Sequence, residues 1–208
     1  MTISVKNLNL VLHNHPILHN VSFTLQKGTL TGITGPNGSG KSTLLKALCG
    51  ELRTEESSVN LGTNNGIAYL PQDLEDPPFL TVAEVVDIGF YATKNLHKDS
   101  KNKRASELLK LCGIEKLACR GFSDLSAGEK KRVWLAFILA QDKEVIALDE
   151  PFSSIDSVSR RGFYQLVRSV VDTGKTVLLV SHDNDLIENY ADKIIMLDKG
   201  HLVHKDSA

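Results

Sequence analysis

Residues 35–43 read GPNGSGKST, between a run with strand character, "GTLTGIT", and a run whose apolar residues recur at helical spacing, "KSTLLKALCG". No other feature limits the possible folds as strongly. Glycines are required where backbone N–H groups turn inward around an anion, and the following helix aims the positive end of its dipole at the same point. The pattern G-x-x-x-x-G-K-[ST] makes Gly35, Pro36, Asn37, Gly38, Ser39, Gly40, Lys41, Ser42 and Thr43 candidate nucleotide-binding residues. On this reading Lys41 reaches the β- and γ-phosphates and Ser42 ligates Mg²⁺. Gly50 is placed to end the helix. The alternative, a glycine turn that only caps a helix, does not account for the strand, loop and helix occurring in this order.

Other runs complete the architecture. "ISVKNLNLVL" and "ILHNVSFTL" alternate in strand fashion across the turn-rich patch "HNHP" and predict a hairpin. "EVIALD" and "KTVLLVSH" are continuous apolar runs, as strands covered on both faces must be, and "DKIIML" reads as a last strand. "AGEKKRVWLAFILAQ" and "SRRGFYQLVRSVVDTG" read as helices between them. From Thr81 to about Leu117 the pattern is helical, with "TVAEVVDIGF" and "RASELLKLCGI" separated by a polar, lysine-rich stretch. The expected fold class is therefore α/β: the mostly parallel sheet of a P-loop NTPase, with an N-terminal antiparallel β subdomain and an inserted helical subdomain. With 208 residues, 41% of them hydrophobic, a single domain spans 1–208. Its core is 1–77 and 136–208, and its helical subdomain is 78–135.

"EVIALDEP" places two carboxylates, Asp149 and Glu150, where an apolar strand ends. Charges at the C-terminal edge of such a strand serve a cation or a water, because ligands of open α/β sheets bind there. Asp149 is the candidate Mg²⁺ residue, directly or through water. Glu150, one residue on, is placed to polarise an attacking water as general base. An acidic turn before Pro151 is the plainer alternative, and the phosphate loop weighs against it.

Formal net charge is −1, from 24 basic and 25 acidic residues, so no global field draws the chain to nucleic acid or an anionic membrane. Cys49, Cys112 and Cys119 form neither a CxxC pair nor a zinc spacing, and read as small buried residues in a reducing compartment. The N-terminus lacks a signal-peptide pattern, and the longest apolar run, "VWLAFILA", is too short to span a bilayer. A cytoplasmic location follows, with any membrane role supplied by a partner. His13, His15 and His19 in "HNHPILH" are better explained by a turn than by a metal site. "KNLHKDSKNKR", Lys94 to Arg104, reads as a solvated loop.

Taken in order, "GPNGSGKST", "LSAGE", "VIALDEP", "SSID" and "VSHD" resemble the motif series of ATP-binding cassette ATPases, the nucleotide-binding subunits of ABC transporters, over nearly the whole chain. The resemblance implies ATP and Mg²⁺ as cofactors, a second ATPase cassette and a transmembrane permease as partners, and a peripheral position on the cytoplasmic face of the membrane. It implies that Gln72, in "AYLPQD", contacts the metal or the attacking water, and that His182, in "LLVSHD", contacts the γ-phosphate. It places Asp156 in a loop that crosses between two cassettes, and it gives Ser126, Gly128 and Glu129 of the signature turn to the partner's nucleotide. Considered alone, Ser126 and Glu129 form an S-x-x-E capping box; the two readings are compatible, because a capped helix start is also an anion site.

The chain departs from the family pattern at three points. Ala127 and Glu129 stand in the signature LSGGQ where the family has glycine and glutamine. Leu12 and His13 stand where an aromatic residue often carries the adenine, and losing base stacking costs about 1–3 kcal/mol. The segment from Gly50 to Gln72 is short, which is similar to soluble ribosome-associated cassette proteins; that class and an export ATPase are the alternative readings. The single cassette and the balanced charge argue against a ribosomal RNA partner. From "IAYLPQ" onward the chain looks most like ATPases of metal-ion or metal-chelate uptake.

Overall fold

The computed structural model describes residues 3–54, 59–62, 65–93, 97–152 and 155–203. The chain starts with the predicted hairpin: β1 (Ile3–Leu12) pairs antiparallel with β2 (His15–Leu25). The turn is tighter than the patch "HNHP" suggested. Leu12 pairs with His15, leaving only His13 and Asn14 to turn the chain, both at positive φ, 47° and 63°. That is the mirror-image turn whose twist matches the flanking strands. A two-residue strand, β4 (Val59–Asn60), adds to β1 and gives the small sheet the order β2-β1-β4.

The large sheet has the order β5-β6-β7-β3-β8-β9. β3 (Leu30–Thr34), β5 (Ile67–Leu70), β6 (Val145–Asp149), β7 (Thr176–Val180) and β8 (Lys193–Asp198) are parallel, and β9 (His201–Val203) closes the edge antiparallel to β8. β3, β6 and β7 are buried along their full length, as befits strands that are largely apolar and covered on both faces. Their side chains alternate between two cores. Ile33, Val145, Ala147, Leu178 and Val180 pack with the small sheet and α1 (Lys41–Leu48), whereas Leu30, Ile146, Leu148, Val177 and Leu179 pack with the remaining helices.

The helical part comprises α2 (Val82–Gly89), α3 (Lys98–Leu111) and α4 (Ala127–Ala140), followed after β6 by α5 (Ser157–Asp172) and, after β7, by α6 (Asn184–Tyr190). α2 and α4 each begin with a complete capping box, Thr81 with Glu84 and Ser126 with Glu129. α2 crosses α4 at Gly89, where a Cβ would collide with the Phe137 carbonyl oxygen and lie 2.7 Å from the Ala140 Cβ. α4 runs unbroken through positions 135 and 136.

Several expectations need correction. The lysine-rich stretch is a loop only in part: α3 begins at Lys98, while residues 94–96 lie outside the described ones. The apolar stripe of "RASELLKL" carries the helix, and ion pairs from Lys101 to Asp87 (2.7 Å) and from Arg104 to Asp142 hold its polar first half down. Cys119 is exposed; Cys112 is buried as expected, and all three thiols are free. β5, α6 and β9 carried too little periodicity to be read from sequence. Among the described residues no helix is long and apolar enough to cross a membrane, and no group of three or more His, Cys, Asp or Glu could hold a metal ion.

Candidate functional site

β3 delivers the chain to the phosphate loop, and the loop's glycines are set by their surroundings as well as by their φ. A Cβ on Gly35 (φ 141°) would run into the Leu197 carbonyl oxygen of β8, and one on Gly40 (φ 100°) would meet the Leu18 side chain of β2 at 2.9 Å. Gly40 is the residue before α1, whose first N–H groups open toward the loop. The loop is also strapped from outside: the Gly200 N–H, in the β8–β9 turn, donates to the Ser39 carbonyl oxygen at 3.0 Å.

Lys41 is buried at the start of α1, and its Nζ donates to the carbonyl oxygens of Gly35 (2.9 Å) and Pro36 (2.8 Å). Burial lowers its pKa, while the carboxylates of Glu150 and Asp149 oppose that shift. The ammonium is thereby curled into the loop it is expected to serve. Beside it, Ser42 Oγ donates to Asp149 Oδ1 at 3.1 Å. Asp149 is the last residue of β6 and is almost fully buried; desolvation raises its pKa, with the hydrogen bonds from Ser42 and Tyr69 acting against that.

Tyr69 escaped the sequence reading. Its hydroxyl donates to Asp149 Oδ2 at 3.0 Å, so both carboxylate oxygens have partners. Burial is the main cause that pushes the phenol well above its ordinary range and keeps it a donor. It sits on the neighbouring strand β5, where Tyr69 pairs with Ala147, two residues before Asp149. The only trace in the sequence is its place three residues ahead of Gln72.

Glu150 lies just past the end of β6 at φ 45°, a conformation that costs a non-glycine residue about 1–3 kcal/mol. Its N–H donates to the Val180 carbonyl oxygen at 3.1 Å, which fixes the bend. The result is a carboxylate turned toward β7, with Glu150 Oε1 2.5 Å from Nε2 of His182. Two strands that the sequence keeps thirty residues apart thus bring their polar ends together.

A cavity of about 600 Å³ collects these groups: Asn37, Gly38, Gly40, Lys41, Ser42 and Thr43 line it, together with Gln72, Glu150, His182 and Ile17. Gly35, Pro36 and His182 line an adjoining cavity of about 380 Å³. Ser39 is buried in the loop, its hydroxyl without a hydrogen-bond partner among the described residues, and Asp149 reaches the site through Ser42. Gln72 is anchored to the helical part, its carbonyl oxygen accepting from Lys131 Nζ of α4 at 3.4 Å.

Ser126, Gly128, Glu129 and Asp156 do not line this cavity. Ser126 and Glu129 cap α4: the Ser126 N–H and hydroxyl donate to Glu129 Oε2 at 2.8 and 2.7 Å, and the Glu129 N–H donates to Ser126 Oγ at 3.4 Å. Gly128 is a glycine its own subunit does not require, since a Cβ there would make only ordinary contacts with Ser159 at 3.7–3.8 Å. Asp156 caps α5 by accepting from the N–H groups of Val158 (3.0 Å) and Ser159 (2.9 Å). Ser153 and Ser154 of "SSID" lie outside the described residues.

Residues 18–153 match the family model described as ABC transporter. The manganese transport system ATP-binding protein MntA of Synechocystis is 36% identical over 96% of this chain and 82% of its own length. The high-affinity zinc uptake system ATP-binding protein ZnuC of Bacillus subtilis is 32% identical over 95% of this chain and 91% of its own. Among solved structures, cbiO1 of Clostridium perfringens, part of the ABC transporter complex cbiONQ, superposes with a TM-score of 0.89 at 27% identity, covering 97% of this chain and 86% of that one.

Proposed function

The chain belongs to the ABC transporter family, as one of its ATP-hydrolysing cassettes, and from that premise we propose that it powers metal-ion or metal-chelate uptake through a separate transmembrane partner. The observation that carries the catalytic part is the convergence of Lys41, the Ser42–Asp149 pair and the Glu150–His182 pair on one cavity. Lys41 neutralises phosphate oxygens, and the α1 N-terminus adds N–H donors. The Ser42 hydroxyl and the Asp149 carboxylate, 3.1 Å apart, are the hard oxygen donors that Mg²⁺ takes, and the buried carboxylate favours a cation. When bound, Mg²⁺ neutralises charge developing on the β- and γ-phosphates. Glu150 draws a proton from the attacking water, and His182 orients that carboxylate and meets the γ-phosphate. Gln72 carries the state of the site to α4 through Lys131.

A second cassette completes the site. Ser126, Gly128 and Glu129 serve the partner's nucleotide, and Asp156 lies in the contact between the two cassettes. The transmembrane partner docks on the helical part and the Gln72 region; in the helical part Phe79 and Tyr91 are 99% and 82% exposed, far more than aromatic side chains in water favour. The lean toward metal uptake rests on relatives named for manganese transport and zinc uptake. The subunit works peripherally, at the cytoplasmic face of the membrane.

Phosphate release by the purified chain tests the chemistry. Glu150→Gln is expected to lower kcat by about 100-fold or more while ATP still binds, and a variant with near-normal turnover would remove Glu150 as the base. Purification from membranes tests the partner: a polytopic subunit is expected to come with the chain, and uptake of Mn²⁺ or Zn²⁺ is expected to stop when Glu150→Gln replaces it.

A further inference from the structure

His182 is held from both sides by one helix. Ser181, the residue before it, is buried and accepts a 2.7 Å hydrogen bond from the buried Tyr164 hydroxyl. Asp183, the residue after it, accepts from Arg160 Nη1 at 3.1 Å through Oδ2, and from the Leu186 N–H at 3.1 Å through Oδ1. Tyr164 and Arg160 stand four residues apart on α5, and so share one face. Phe152, two residues past Glu150, stacks on Tyr164 with ring centroids 4.2 Å apart. The segments carrying both members of the Glu150–His182 pair therefore rest on the first turns of α5.

Arg160 has a second attachment. Nη2 donates at 3.2 Å to the carbonyl oxygen of Ile155, immediately before Asp156. One planar guanidinium thus ties the Asp156 loop to the His182 segment, with a fixed angle between its two bonds that a lysine could not reproduce. The same side chain keeps its Nε buried without an acceptor among the described residues.

We infer that Arg160 is a positioning residue that transmits displacement of the Asp156 loop to His182, and hence to the His182–Glu150 contact. The inference rests on the proposed cassette dimer, in which the Asp156 loop meets the second subunit. Pairing then moves the Ile155 carbonyl, the guanidinium turns as a rigid piece, and Asp183 carries the neighbouring histidine with it. Hydrolysis is favoured when the loop is seated.

The test compares Arg160→Met, Arg160→Lys and Asp183→Asn in the full chain, by steady-state ATP turnover and thermal melting. Asparagine retains the α6 cap at 183 through its one oxygen and puts an NH2 in place of the oxygen that accepts from Arg160. Arg160→Met is expected to lower kcat about tenfold or more, with KM for ATP changed less than about threefold and the melting midpoint nearly kept. Arg160→Lys is expected to recover part of kcat, and the Met–Asn double variant to be no slower than the slower single one. Unchanged kcat in Arg160→Met would overturn the inference. So would a loss of kcat that tracks a fallen melting midpoint, or one that lysine does not lessen at all. Glu150→Gln, run alongside, separates the two readings: if the parent chain turns over ATP and Glu150→Gln does not, the cassette chemistry stands whatever Arg160 shows.

Discussion

Glu150 and Asp142 both place a non-glycine residue at positive φ, 45° and 54°, and both use the bend to aim a carboxylate. At Glu150 the target is His182; at Asp142 it is a pair of cations, Arg104 of α3 and Lys175 just before β7. The hydrogen bond from Arg104, with Lys175 adding to it, holds the Asp142 carboxyl below its ordinary value of 3.8. Because the folded value is depressed, the contribution is present above pH 3.8 and is lost as pH falls through the folded value, where the unfolded chain binds more protons. Asp142→Asn keeps the bend and removes the charge. Urea denaturation at pH 7 is expected to show a cost of about 1 kcal/mol or less, since the pair is part-exposed. The difference from the parent is expected to shrink as pH falls below 3.8; a difference that stays constant there would contradict the ion-pair assignment.

Elements are joined here by close approach as well as by apolar area. α2 carries its capping box at Thr81 and ends at Gly89, where the missing side chain lets it lie against the Phe137 carbonyl and Ala140 of α4. Gly89 has helical φ, so alanine there meets no backbone penalty and improves helix propensity. Packing outweighs that gain, because the obstacle is backbone and cannot swing aside. Gly89→Ala is expected to lower stability by about 1–3 kcal/mol in thermal or urea unfolding. A neutral or stabilising result would show that the two helices separate at little cost.

On the scale of the whole molecule, the cassette displays surfaces that its own fold does not use. Gly128 meets no constraint in its own subunit, Ser126 is exposed, and neither lines the nucleotide cavity. Ser126→Asp keeps an N-cap acceptor but removes the hydroxyl that donates to Glu129 and sets a second carboxylate beside it, so a stability loss of about 1 kcal/mol is expected while turnover falls far more. Mixing Ser126→Asp chains with Lys41→Ala chains, each inactive alone, is expected to restore ATPase activity, because on the proposed pairing of two cassettes one site then has an intact phosphate loop facing an intact signature turn. Failure of the mixture to recover any activity would contradict a site shared between two chains.

The sequence by itself determined the order of strand, phosphate loop and helix, the buried parallel strands and the carboxylates at the end of β6, because those signals are local: glycine φ, apolar period, capping chemistry and the identity of neighbouring residues. It placed a carboxylate at 150 and a histidine at 182 without showing their contact, which depends on β6 and β7 being neighbours in the sheet. Tyr69 and Arg160 could not be singled out at all. A tyrosine on an edge strand and an arginine on an amphipathic helix are ordinary in sequence, and each gains its role only from a partner 80 or 23 residues away. Period and propensity act over a few residues, whereas hydrogen bonds between distant segments exist only once the sheet order is fixed. The tertiary structure therefore decided how the reactive groups meet, and the sequence which reactive groups there would be.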